Sequence, residues 1–242
     1  MPRGRALGYE LQRETILAKA AALFARHGYT ATSMNEVAEA CGVSKPALYH
    51  YVRDKHGLLV EIAEGHIARL LALVDATALN SEAAEPRLRA LIAAFLAVYA
   101  GSQNEHRVLT EDVRFMRVEE RERVLRGQRR VVAAFADAVA AARPELRGAG
   151  LDKPLAMLLF GMMNWMFTWL RPQGGLTYAD MAPVVCDLFF SGLAGVRPPH
   201  SPSHHDNGDS PCPSAKTLLP APSSPPASPR RPRSRLPTST SV

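Results

Sequence analysis

Large apolar side chains recur along most of this chain at spacings of three and four, the pattern of helices that bury one face. Ile16, Ala20, Leu23 and Phe24 mark a first helix from about Glu10 to His27, with Gly28 as its C-terminal cap. Ser33 with Glu36 three residues on forms a capping box, so a second helix is expected from Met34, with Val37, Ala38 and Cys41 on one face and Gly42 ending it in a left-handed turn. Ser44 and Pro46 open a third, short helix. A fourth runs from near Asp54 to about Val74 along Leu58, Leu59, Ile62, His66, Leu70, Leu73 and Val74. From Glu85 a stripe of Leu88, Leu91, Ile92, Phe95, Leu96 and Tyr99 predicts a helix that stops at Gly101-Ser102. Further helices are expected at Glu105 to Met116, Val118 to Ala142, Pro154 to Leu170 and Tyr178 to Ala194. No convincing strand alternation is present, so the class is all-α.

Two stretches depart from this rhythm. Pro154 to Leu170 is seventeen residues without a charge. A membrane span needs about 20 predominantly apolar residues, and this one holds Asn164 and Thr168, so it is read as a buried helix and no membrane contact is expected. A helix apolar all round needs cover on every side, and a partner subunit is the economical cover for its second face. From Arg197 periodicity stops: twelve of the nineteen prolines fall in the last 46 residues, and residues 197–242 are expected to be a disordered Pro/Ser-rich basic tail.

Charge divides the chain in the same places. Residues 1–55 carry eight Lys/Arg against five Asp/Glu, residues 56–196 fifteen against sixteen, and residues 197–242 six against two. The basic excess at both ends and the nearly neutral middle suit a DNA-contacting head on a body with another task. The expected division is a flexible arm over 1–9, a DNA-binding domain over 10–55, a helical body over 56–196, which the resemblance given below implies to be an effector-binding and dimerisation domain, and the tail. Arg3 and Arg5 of the arm are within reach of a phosphate or the minor groove, or form part of a solvated tail. The first nine residues lack the apolar core of a signal peptide, and a reducing cytoplasm is the simplest home for three scattered cysteines. His204, His205 and Cys212 have no zinc spacing, so neither metal nor cofactor is expected.

The chemistry concentrates between Thr32 and Leu59. Two short helices joined by a Gly-containing turn are the helix-turn-helix geometry, whose second helix enters the major groove. Lys45, Tyr49, His50, Tyr51, Arg53 and Lys55 surround that helix with no acid between Ser44 and Arg53. Composition alone does not separate a DNA reader from a basic surface helix.

The run from Ile16 to Leu59 resembles the DNA-binding domain of the tetracycline-repressor (TetR) family. It carries A-L-F-A-R-H-G-Y-T-A-T-S from Ala22 to Ser33, then V-A-E-A-C-G-V-S-K-P-A-L-Y-H-Y-V-R-D-K and L-L. Pro46 and Val52 stand where Gly and Phe are frequent in that family. His56-Gly57 replaces its usual acidic pair, a change expected to loosen the first turn of helix four. The resemblance implies base-facing roles for Lys45 and Ala47, phosphate contacts from Thr32, Ser33, Tyr49, His50 and Lys55, and a place at the interface for Ser44 and Pro46. It also implies a homodimer through the last two helices, about 153–170 and 178–194, and a lever role for helix four.

A body of this family commonly holds a small effector. Phe95, Tyr99, Leu109, Asp112, Phe115, Met116, Phe135, Met162, Trp165, Met166 and Trp169 are the candidates, although a Met and aromatic stripe at helical spacing equally describes a core. Thr168 to Thr177 resembles a segment of regulators of fatty-acid and steroid catabolism, some of which answer to acyl-CoA thioesters. On that resemblance Arg171 serves a CoA phosphate or a carboxylate, or else it caps a helix C-terminus. The expected function is a dimeric repressor on a palindromic operator, released by a small apolar or acyl-CoA-type effector. The alternatives are a DNA-binding protein without an effector and a repressor of efflux genes that answers to hydrophobic drugs. An enzyme is not expected, because the body offers no nucleophile–base motif and His56, His66 and His106 are dispersed in sequence.

Overall fold

The computed structural model describes residues 3–78, 83–170 and 174–195, and every regular element among them is a helix. The head consists of α1 (Arg3–His27), α2 (Met34–Ala40) and α3 (Lys45–Leu48). The connecting helix α4 spans Lys55–Ala78. The body contains α5 (Ala84–Gly101), α6 (Gln103–Glu111), a 3-10 turn at Val113–Phe115, α7 (Val118–Ala142), α8 (Pro144–Gly148), α9 (Asp152–Asn164), α10 (Met166–Trp169) and α11 (Tyr178–Gly195).

The head closes over Ile16, Ala20, Phe24, Val37, Leu48, Leu58 and Leu59, none more than 1% exposed. Burying one such Leu, Ile or Phe stabilises by roughly 1.5–3 kcal/mol, so even a four-residue α3 is held firmly through Leu48. Gly28 and Gly42 end α1 and α2 with φ of 86° and 66°, the left-handed region where a side chain would be strained. In the body α7 packs against α4, α5 and α9, while α11 lies against α5. Phe95, Phe135 and Phe160 meet there, with the Phe135 centroid 4.8 Å from Phe95 and 4.7 Å from Phe160. Where α7 crosses α4 the backbones approach so closely that a Cβ on Gly127 would lie 2.7 Å from Ile67 Cγ1.

Four expectations need correction. α1 begins at Arg3, so residues 3–9 are helical and not an arm; Tyr9 anchors this extension by stacking on Tyr51 at 4.9 Å and donating to the His50 carbonyl at 3.2 Å. The side chains of Arg3 and Arg5 lie outside the described residues. The first turn of α4 is not loosened by His56-Gly57, because Asp54 Oδ1 accepts from the Gly57 N–H at 2.6 Å and caps the helix. The helix expected over Glu105 to Met116 stops at Glu111, and the 3-10 turn after it lets Val113 and Met116 both point inward, 8% and 6% exposed.

The uncharged stretch is the fourth. Its helix starts earlier, at Asp152, and breaks at Trp165 into α9 and α10, which turns Met166 into the core at 1% exposure. The expectation that one face needs cover from outside the chain is not what changes: Met157, Leu158 and Trp165 are 51%, 66% and 66% exposed. No described helix is long and apolar enough to cross a membrane.

Candidate nucleic-acid interface and effector cavity

The local sequence builds the head's outer face. Ser33 Oγ accepts from the Glu36 N–H at 3.3 Å while Glu36 Oε2 accepts from the Ser33 N–H at 2.7 Å, the reciprocal capping box. Ser44 Oγ accepts from the Ala47 N–H at 3.3 Å, and Pro46 occupies the first turn of α3, where no N–H is needed. With Leu48 and Val52 anchored inside, Ser44, Lys45, Pro46, Tyr49, His50 and Arg53 project outward and Ala47 is half-buried between them. Ser33 is exposed on the same head. The face presents cations, a phenol, an imidazole and hydroxyls, and no carboxylate between Ser44 and Arg53, which suits phosphate and base-edge contacts.

Two residues expected at this face are engaged inside the head. Thr32 is 2% exposed, and its hydroxyl faces the Gly28 carbonyl at 3.0 Å and that of Leu23 at 3.4 Å. Lys55 Nζ donates to the carbonyls of Tyr29, Thr30 and Thr32 at 2.9, 3.2 and 2.8 Å and stands 4.6 Å from the Tyr29 ring centroid. Three acceptors match the three protons of an ammonium, so Lys55 fastens the α1–α2 loop to α4 and keeps no donor for a phosphate.

The body holds a cavity of about 220 Å³ among α4, α5, α6, α7 and α9. Its apolar wall is Ile67, Leu70, Leu109, Val131, Val132, Met157 and Phe160, and its polar side is Tyr99, His106, Thr110, Gln128 and Asn164. Tyr99 donates its hydroxyl proton to Asn164 Oδ1 at 3.0 Å and lies 4.0 Å, centroid to centroid, from the His106 ring. His66 Nε2 is 3.3 Å from His106 Nδ1, and Arg69 approaches His66 Nδ1 at 3.4 Å. The histidines dispersed in sequence are therefore partners in the fold. Burial pushes His66 down to about 3, helped by the neighbouring His106 and Arg69, and burial pushes His106 down to about 4, so both imidazoles are neutral near pH 7. Burial also raises the Tyr99 phenol above its ordinary value.

Of the expected effector residues, Tyr99 and Leu109 line this cavity. Phe95 and Phe135 are wholly buried behind it in the phenylalanine cluster, and Met116 and Met166 are core. Met162 is half-buried against that core. Asp112 is buried at the end of α6, its carboxyl raised by burial and by Glu111. Phe115 packs on Tyr29 of the head at 5.4 Å, while Trp165 and Trp169 face outward at 66% and 47% exposure. Arg171 lies outside the described residues, as do the tail and the metal reading at His204, His205 and Cys212. The polar residues that reasoning from sequence missed had one usable signal: His66 sits on an apolar stripe, and Asn164 interrupts an uncharged run. A second, open groove of about 260 Å³ lies beside the cavity, formed by Ala25 and Arg26 of α1, Gln103, Asn104 and Arg107 of α6, and Phe167. The Phe167 ring of this groove lies 6.1 Å from the His106 ring and 6.0 Å from the Arg107 guanidinium.

Known proteins match both halves of this architecture. Residues 16–62 match the family model described as bacterial regulatory proteins, tetR family, and residues 81–193 match the tetracyclin repressor-like C-terminal domain. The transcriptional repressor KstR2 of Mycobacterium tuberculosis is 28% identical over 194 residues, covering 75% of this chain and 92% of the relative. The transcriptional activator FasR of Mycolicibacterium smegmatis is 30% identical over 110 residues, 46% of this chain and 50% of the relative. A TetR-family regulator from Bordetella parapertussis is 32% identical, with a TM-score of 0.71 over 76% of this chain and 97% of that one. AibR, solved with isovaleryl coenzyme A and operator DNA, is 25% identical, with a TM-score of 0.63 over 73% and 97%. The head, the connecting helix, the body and these matches together place the chain in the TetR family, whose members are DNA-binding transcriptional regulators and not enzymes.

Proposed function

We propose that the protein is a dimeric, cytoplasmic transcriptional repressor that binds a palindromic operator through α2 and α3 and releases it when a small effector of the acyl-CoA class fills the body. The observation that carries this reading is the cavity: a partly open, mostly apolar space walled partly by α4, the helix that continues into the head. An effector acts only if it prefers one spacing of the two heads over another, and a cavity that shares a wall with the connecting helix supplies that preference.

Its volume lies below the roughly 300–1,000 Å³ of a site that takes a whole drug-sized ligand, so it suits one short apolar portion. The adjoining groove offers Arg26 and Arg107 to the phosphates of a coenzyme A head left outside. AibR, titled with isovaleryl coenzyme A, supports the same class, and KstR2, a repressor aligned over most of its length, supports the sign of the output. Leu158 of α9, Trp165 just after it, and Val184 and Leu188 of α11 are large, apolar and exposed, which supports a dimer through these helices because such residues gain from cover.

The test is binding of the purified full-length chain to its own upstream DNA, or to sequences selected from a random pool, with and without acyl-CoA thioesters. A sequence-selective shift that an acyl-CoA reverses is the expected result. No selective shift sinks the regulator reading. Release by hydrophobic drugs alone transfers it to efflux control, and DNA binding that no small molecule alters leaves a DNA-binding protein without an effector.

A further inference from the structure

His106 is 4% exposed and lines the cavity, and its Nε2 is the one buried side-chain nitrogen or oxygen without a hydrogen-bond partner among the described residues. Whether that atom offers a proton or a lone pair decides what kind of group satisfies it. The answer comes from outside the cavity. A guanidinium has donors only, so Arg69, 3.4 Å from His66 Nδ1, fixes that nitrogen as the acceptor. His66 is buried and neutral, so its single proton sits on Nε2 and is donated to His106 Nδ1, 3.3 Å away. His106, neutral for the same reason, then carries its own proton on Nε2. The opposite order would set a His66 N–H against the guanidinium N–H.

We propose that the cavity selects its ligand by a hydrogen-bond acceptor, the carbonyl oxygen of a thioester, ketone or carboxyl group, seated on the Nε2–H of His106, with that donor polarity imposed by Arg69 through His66. The proposal rests on the effector reading above and deepens it. An unmet buried donor is costly, and an acceptor supplied by the ligand recovers that cost, whereas an ammonium group or a bare hydrocarbon does not. The ring neighbours of His106 are consistent with this polarity: Tyr99 gives its own proton to Asn164, so it offers His106 no competing donor along that bond. His66 and Arg69 are positioning residues, since neither is part of the cavity wall.

Two measurements on the full chain test this separately from the effector reading. The first needs no ligand: nitrogen-15 shifts of the histidine rings, assigned with His66→Leu and His106→Leu, report which ring nitrogen holds the proton. Both rings are expected in the Nε2–H form above pH 6, and a His106 proton found on Nδ1 overturns the proposal. The second compares a short acyl-CoA thioester with the thioether analogue that lacks only the carbonyl oxygen. Recovering one hydrogen bond predicts about a tenfold preference for the thioester. His106→Gln, which retains a donor, keeps most of that preference, and His106→Leu abolishes it while the thioether still binds. Equal binding of thioester and thioether to the unaltered protein refutes the acceptor rule. If neither compound binds, the coenzyme A class fails as the effector, and the ring-nitrogen shifts still decide the polarity of His106.

Discussion

Replacing Lys55 by Met keeps the aliphatic stem but removes an ammonium that donates at 2.9, 3.2 and 2.8 Å to three carbonyls of the α1–α2 loop. Hydrogen bonds to a charged group contribute roughly 1.5–3 kcal/mol when an unmet partner is left buried. Thr30 is exposed and regains water at once, whereas Thr32 is buried, so the net loss is set at about 2 kcal/mol. For a domain of this size that lowers the thermal midpoint by about 4–8 °C. The same residue read as a phosphate clamp predicts something different. Losing one phosphate contact reduces the slope of log affinity against log salt by about 0.9 and leaves stability alone. Thermal unfolding and DNA binding at several salt concentrations, run on Lys55→Met and on the unaltered protein, separate the two. A midpoint shift with an unchanged salt slope is expected. An unchanged midpoint with a slope lower by about one refutes the assignment of Lys55 to the fold.

Other consequences can be checked alongside. Tyr49, exposed beside α3, contacts backbone phosphate on this account, so Tyr49→Ala weakens binding to all duplexes alike, whereas a bulkier side chain at Ala47 changes which sequences are selected; selection from a random pool distinguishes the two. Gly127→Ala gains helix propensity worth about 0.5–1 kcal/mol but drives a Cβ to 2.7 Å from Ile67, and overpacking costs about 1–3 kcal/mol, so urea unfolding should show a net loss, and the change caused by Gly127→Ala should be smaller when made in an Ile67→Ala background. His66 and His106 titrate near 6.5 when unfolded and at about 3 and about 4 when folded. The unfolded chain therefore binds more protons below pH 6.5, and stability falls with acidification by roughly 1.4 kcal/mol per pH unit and histidine down to about pH 4. A His66→Leu/His106→Leu variant that loses stability with the same slope would contradict this. Leu158→Glu with Leu188→Glu places charge among the exposed apolar residues of α9 and α11, and sedimentation should then report a monomer; an unaltered dimer moves the interface elsewhere.

The head was legible because its signals are local. Ser33 with Glu36, Gly42, and Ser44 with Pro46 act within four residues of themselves, and each appears in the structure in the stated role. Thr32 and Lys55 are bonded within the head, which their type did not reveal, because residue type says only that a group can meet a phosphate. Whether it is free to do so depends on carbonyls of a distant loop, 23 to 26 residues away for Lys55. The cavity was the least legible part. Phe95, Phe135 and Met116 are aromatic or soft enough to line a pocket, yet α7 and α9 close over them. The space opens instead beside His106 and Asn164, two polar residues whose part in a cavity shows only when His66 and Tyr99 are brought against them across 40 and 65 residues of chain. Helix breaks at Asp112 and Trp165 escaped the periodicity for a related reason: apolar residues continue on both sides, and tertiary packing alone decides where the chain turns.

Operator binding under effector titration tests the central claim most directly. Fluorescence anisotropy of the full-length protein on its selected duplex, titrated with short- to long-chain acyl-CoA thioesters, is predicted to show at least about a tenfold loss of DNA affinity with one of them, the size of a typical coupling of about 1.4 kcal/mol or more between two sites. The same loss should shrink in His106→Leu. DNA affinity that stays constant while an acyl-CoA demonstrably occupies the body would contradict the account.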